Sequence, residues 1–154
     1  MFRTVLANMS PLHGSPRVLL TTLSGEEHTM GLLMVEALMV VEDIYPVLLG
    51  PQTPIDEIVR AAQIKQVDAV CLSFSSAYSP TLAAQGMRDL RQMLPAGIEL
   101  WAGGYGVKAI RKPIDGVYLM PEFQDLYDCL AKWRTKHGCE PVSTRVISLP
   151  ATPK

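Results

Sequence analysis

Five short apolar runs, four of them followed by a segment with helical periodicity, leave this chain few folds to choose from. The runs fall at 17–23, 44–49, 68–74, 98–101 and 116–120, and the helical segments at about 28–41, 54–64, 80–93 and 122–135. A run such as Val18-Leu19-Leu20-Thr21-Thr22 shows no polar alternation, so both of its faces must be covered. That is the pattern of a strand inside a parallel sheet. Parallel neighbours need a crossover connection, which the intervening helices supply with a right-handed sense.

Five such units predict an α/β fold, a doubly wound five-stranded parallel sheet of the flavodoxin-like (Rossmann-like) kind with strand order 2-1-3-4-5. Ligands of open sheets of this type sit outside the carboxyl ends of the strands, so the loops that leave those ends are where chemistry is sought. Thr53 reads as an N-cap with Pro54 opening the second helix, and Ser79 reads as a cap before Pro80. Apolar residues fill nearly every position from Met30 to Val41, which predicts a helix buried on more than one side.

The 154 residues suffice for one domain with a sizeable core. Residues 1–16, with Pro11, Gly14 and Pro16, read as a linker or the remnant of a preceding helical segment; 17–137 form the domain, and 138–154 a flexible tail. Fourteen basic against fifteen acidic residues leave a net charge of -1, so no electrostatic footprint for direct nucleic-acid contact exists. No segment reaches the length of a membrane span, and the first residues are too weakly apolar for a signal peptide, so a cytoplasmic location is expected. Cys71, Cys129 and Cys139 lack metal or disulfide spacing, and Cys71 reads as a buried apolar residue.

Three strand-end loops carry the candidate site. In the first, Ser24-Gly25-Glu26-Glu27-His28-Thr29-Met30-Gly31, Glu26 stands two before His28. Its carboxylate can hold one ring nitrogen, fix the tautomer and leave the other nitrogen free as a ligand. Gly31 removes a side chain where the helix passes something bulky. Taken alone, a loop histidine is more often merely solvated. In the second loop, Ser73 and Ser75 alternate at a strand end and face the same way, although hydroxyls there also cap helices. The third holds Gly103 and Gly104, which by themselves indicate only a turn. Neither a Walker A sequence nor a dinucleotide fingerprint is present, no histidine follows Cys71 closely, and His13 and His137 read as solvated.

Glu26-x-His28-x-x-Gly31 after the first strand resembles the Asp-x-His-x-x-Gly signature of cobalamin (vitamin B12)-binding domains, with Glu in place of Asp. Ser73, followed by Ser75 where that family has Leu in a Ser-x-Leu motif, and the Gly103-Gly104 pair complete the likeness over about residues 17–134. The resemblance implies that His28 is the lower ligand of cobalt, that Glu26 orients it, that Ser73 and Ser75 hold the displaced benzimidazole tail, and that Gly103 and Gly104 admit that tail. Leu49-Gly50-Pro51-Gln52-Thr53-Pro54 and Trp101-Ala102-Gly103-Gly104 look most like the C-terminal sensory domain of MerR-type, light-responsive transcriptional regulators.

By that resemblance the cofactor is adenosylcobalamin, or methylcobalamin or hydroxocobalamin, and the role is sensory rather than enzymatic. The implied partners are a helix-turn-helix DNA-binding region and a helical bundle, neither within this sequence, together with a homo-oligomer whose assembly the ligand or light state controls. Two other readings of the same fold are a cobalamin-carrier subunit of a methyltransferase or mutase, and an interaction module without cofactor.

Overall fold

The computed structural model describes residues 14–138. Five parallel strands form one sheet in the order β2-β1-β3-β4-β5: β1 Arg17–Leu23, β2 Tyr45–Thr53, β3 Ala69–Ser73, β4 Glu99–Gly103 and β5 Val117–Met120. The helices are α1 Met30–Val41, α2 Ile55–Ile64, α3 Pro80–Met93 and α4 Phe123–Lys136, with a 3₁₀ turn at Tyr105–Ala109. The expected doubly wound sheet and its strand order are present.

Side-chain alternation divides the core in two. Val18, Leu20, Cys71 and Trp101 pack with Leu32 and Met39 of α1 and Leu130 and Trp133 of α4. Leu19, Val70, Leu72 and Leu100 pack on the opposite face with Ile58 of α2 and Met87 and Leu90 of α3. Strands covered on both faces show no polar alternation, which is why β1 and β3 read as continuous apolar runs. Cys71 is buried as expected, and burial pushes its thiol up to about 12, so it stays protonated.

Chain order reverses between β1 and β3, where Thr21 lies opposite Leu72. Ser73 in turn pairs with Gly103, and Gly103 with Met120. The loops after β1, β3 and β4 therefore stand side by side at the topological switch point, where a crevice opens at the strand ends.

Three local expectations differ from what forms. The second strand continues past Gly50 as an irregular extension to Thr53, with register shifts against β1. Buried hydroxyls hold it there: Thr21 Oγ1 donates to the Gly50 carbonyl at 2.7 Å, and Gln52 N donates to Thr22 Oγ1 at 2.8 Å. Thr53 is drawn into the same cluster, 2.8 Å from Thr21 Oγ1, and does not cap. Pro54 is the N-cap residue instead, and Asp56 and Glu57 place negative charge in the first turn of α2. Helix α1 meets the sheet along one side only. Leu32 and Met39 are buried, whereas Met30, Met34 and Val41 are exposed.

Ser79 caps α3 by accepting from Leu82 N at 3.3 Å. Gly14 and Pro16, placed by sequence in the linker, are packed into the domain, and Ser15 N donates to the Asp43 carbonyl. The remainder of the linker, with His13, and the tail from Cys139 onward lie outside the described residues. Among the described residues no helix is long and apolar enough to cross a membrane.

Candidate functional site

Strand β1 ends in a tight turn. Gly25 takes φ 89°, a left-handed conformation that a side chain disfavours, and Glu26 N donates back to the Leu23 carbonyl at 3.0 Å. The turn folds Glu26 inward until only 1% of it is exposed. A carboxylate at that depth is costly unless donors surround it. Four atoms do so: Ser75 N donates to Oε2 at 2.8 Å, Ser75 Oγ lies 3.0 Å from the same oxygen, and His28 N and Nδ1 reach Oε1 at 3.1 and 2.9 Å. Burial works to raise the Glu26 pKa. The hydrogen bonds from the Ser75 and His28 backbone and side chains outweigh it, so the carboxyl is held below its ordinary value and stays ionised.

An ionised carboxylate only accepts, so the His28 nitrogen facing it carries a proton. In the neutral ring the lone pair then sits on Nε2, which has no partner among the described residues on a side chain 63% exposed. The arrangement presents a single basic nitrogen to whatever lies above the strand ends, with its tautomer set from below. Thr22 Oγ1 completes the base of the loop by donating to the Glu26 carbonyl at 2.8 Å.

Ser73 and Ser75 separate in role. Ser75 leaves the strand, turns to the carboxylate and lies 3.2 Å from His28 Nδ1. Ser73 stays in β3 on the α1 side of the sheet, 9% exposed, and its hydroxyl has no hydrogen-bond partner among the described residues. Directly over it passes the first turn of α1. A Cβ on Gly31 would lie 2.5 Å from Ser73 Oγ, so glycine is what lets the helix start that close.

Gly103 lies beside Ser73 in register, its position narrowed by the Met120 carbonyl 3.3 Å from a virtual Cβ. Gly104, at φ 100°, has a packing reason of its own: a Cβ there would come within 2.3 Å of the Phe74 carbonyl. The missing Cβ lets the loop after β4 approach the loop after β3, and the bonds from Phe74 N to the Gly103 carbonyl and from Gly106 N to the Phe74 carbonyl tie the two together. Glu26, His28 and Ser75 are thus brought into one cluster, Gly31, Ser73 and Gly103 into a second beside it, and Gly104 into the brace between loops.

Sequence reasoning passed over Thr22 and Tyr78. Tyr78 donates from its hydroxyl to the Ser24 carbonyl at 3.1 Å and lines, with Gly25, Glu26, Glu27, His28 and Ala77, a cleft of about 80 Å³. Burial and the Glu26 charge both raise its phenol pKa, so it remains a donor. For Thr22 the available signal was a pair of hydroxyls, Thr21 and Thr22, next to the last residue of a largely apolar strand; for Tyr78 there was none. His137 is exposed, as expected, and its ring also stacks on Trp133 with centroids 4.1 Å apart.

No family model matches the chain. Among curated proteins it is similar to the HTH-type transcriptional repressor CarH of Myxococcus xanthus, 30% identical over 104 residues, 68% of this chain and 35% of the relative. The chain thus corresponds to about a third of that protein's length. Among solved structures it resembles a cobalamin-binding protein from Desulfitobacterium hafniense DCB-2, with TM-score 0.58 and 18% identity over 77% of this chain and 59% of that one. The chain shares the fold of that cobalamin-binding protein. A second structure, the monomethylamine corrinoid protein of Methanosarcina barkeri, gives TM-score 0.60 and 15% identity over 85% of this chain and 65% of that one. In this fold the loops after β1, β3 and β4 of the present chain hold the three motifs on which the resemblance rests.

Proposed function

We propose that this domain binds a corrinoid, with His28 Nε2 as the lower ligand of cobalt, and serves as the sensory part of a transcriptional regulator. The observation that carries the reading is the buried Glu26 carboxylate, held by Ser75 and His28 and turned so that it fixes one imidazole nitrogen and frees the other. A hydroxyl without partner at Ser73, under a helix start kept open by Gly31, suits the nucleotide tail of such a group. These residues fit cobalamin: a nitrogen donor for a transition metal, an orienting carboxylate behind it, and a free hydroxyl at a glycine-lined position.

When bound, the corrinoid supplies a cobalt centre whose upper ligand can be changed by chemistry or light. The protein's own part is to hold His28 in one tautomer, keep Glu26 ionised and place Ser73 against the tail. The similarity to the repressor supports a regulator, in which DNA binding belongs to a helix-turn-helix region of a longer protein in the cytoplasm. The ligand or light state then shifts an oligomer equilibrium. A near-complete shift requires a differential affinity of about 5.5 kcal/mol between assemblies.

A second reading, a cobalamin carrier for a methyltransferase, is favoured by the likeness of fold to the monomethylamine corrinoid protein. The deciding experiment mixes the protein in the dark with hydroxocobalamin or adenosylcobalamin, desalts it and records the absorption spectrum beside that of His28→Ala. Retained cofactor with a nitrogen lower ligand, lost in the variant, is the expected result; a spectrum indifferent to His28 defeats the ligand assignment. Illumination followed by a measurement of molecular mass then separates sensor from carrier.

A further inference from the structure

The loop that bears His28 is short, exposed along its outer side, and underlain by the cleft of about 80 Å³ between it and Ala77 and Tyr78. Packing does not hold it on that side; Thr22 Oγ1 of β1 anchors the Glu26 carbonyl from below, and the outer part of the loop is held by the bonds that cross the cleft. Two attachments reach it from the turn after β3. One is Ser75 to Glu26. The other is Tyr78 Oη to the Ser24 carbonyl, at the opposite end of the Gly25 turn.

Both attachments come from a single rigid piece. Tyr78 N donates to the Ser75 carbonyl at 3.2 Å, closing a four-residue turn, and the next residue, Ser79, caps α3. The Tyr78 ring leans on Phe74, with centroids 5.4 Å apart, and Phe74 is fully buried. Cε2 of Tyr78 would stand 3.7 Å from a Cβ on Gly25, so the tyrosine ring lies beside the turn whose left-handed φ sets the direction of the whole loop.

The geometry points to Tyr78 as a positioning residue for His28: by clasping Ser24 while Ser75 clasps Glu26, it stops the loop from pivoting about the Glu26 contact and so fixes where Nε2 points. The inference rests on the corrinoid reading for its consequence, but not for its mechanics. With one clasp only, Glu26 and His28 keep their mutual bond, while the loop as a whole tilts. The chemistry at stake is a metal–nitrogen bond, which is directional and tolerates little displacement.

The test is Tyr78→Phe, which keeps the ring on Phe74 and beside Gly25 and removes only the hydroxyl, with Tyr118→Phe on β5 as a control for loss of a phenol. In the cofactor-free protein, amide exchange of Glu26 and His28 is expected to quicken about fivefold, the effect of one ordinary hydrogen bond, with the urea midpoint nearly unchanged. In the cobalamin-loaded protein the ratio of nitrogen-ligated to unligated cobalt, read from the absorption spectrum, is expected to fall by about the same factor while the amount of cofactor retained stays constant. Unchanged exchange overturns the proposal, and so does quicker exchange with an unchanged spectral ratio. Should the wild type retain no cobalamin, the functional reading fails instead, and the exchange rates alone decide whether Tyr78 positions His28.

Discussion

The two ends of the sheet each bury a charged side chain, and they do opposite things with it. At the carboxyl end Glu26 is 1% exposed, and at the amino end Arg134 of α4 is 6% exposed. Arg134 spends its donors on backbone carbonyls, those of Ser15 and Glu42, which join the start of β1, the end of α1 and the last helix. Glu26 spends its oxygens on a loop amide, a serine and a histidine whose far nitrogen faces outward. A charge whose partners are all main chain only holds the fold together. One whose partner is an exposed titratable ring passes its influence out of the protein, and that is what distinguishes a site from a clamp.

The comparison is open to attack by substitution. Arg134→Ala removes the charge and leaves two carbonyls without their donor, and should cost about 3 kcal/mol, a fall of about 10 °C in Tm for a domain of this size. Calorimetry measures the loss, and cobalamin spectra of the surviving folded fraction should match the wild type. A changed lower ligand there would mean that the two ends are not separate.

Glu26→Gln is expected to cost about 2 kcal/mol at neutral pH, because an amide nitrogen must then face a donor. The sign of its pH dependence follows from the lowered pKa. Since the folded carboxyl ionises below the ordinary 4.5, its stabilisation is complete above that value and is lost as pH falls through the folded pKa. Urea midpoints of the two proteins should therefore converge on the acid side. A gap that is constant with pH would show that the charge of Glu26 contributes nothing.

Gly31→Ala forces Ser73 Oγ aside and should destabilise by about 1 kcal/mol despite the better helix propensity of alanine. Adding Ser73→Ala should restore stability to the wild-type level or above it, so a double-mutant cycle by chemical denaturation reads the contact directly. Additive effects would separate the two residues and remove the proposed place for the tail. The smallest effect, about 0.5 kcal/mol, belongs to Ser79→Ala, whose exposed cap bond is long at 3.3 Å. Thermal denaturation should detect it without any change in ligand spectra.

Part of this cluster is legible in the sequence. Glu26 and His28 are two residues apart, and a spacing that short makes their contact a local matter. Ser75 was legible as a strand-end hydroxyl, but its partner lies 49 positions away, and its hydrogen bonds to Glu26 emerge only when β1 and β3 pair. Gly104 shows the same limit: as sequence it is a turn glycine, whereas in three dimensions the Phe74 carbonyl occupies the place its Cβ would take.

Periodicity along the chain determined the strands, helices and parallel class of this protein, because a strand covered on both faces and a helix covered on one leave their marks within a few neighbouring residues. Tertiary structure alone decided that Thr53 joins a buried hydroxyl cluster and does not cap a helix, that α1 leaves Met30, Met34 and Val41 exposed, and that Ser75 and Tyr78 hold the loop of His28 from two sides. Each of those outcomes depends on which distant segment offers a hydrogen bond or a covering surface. Local propensity carries no record of that choice.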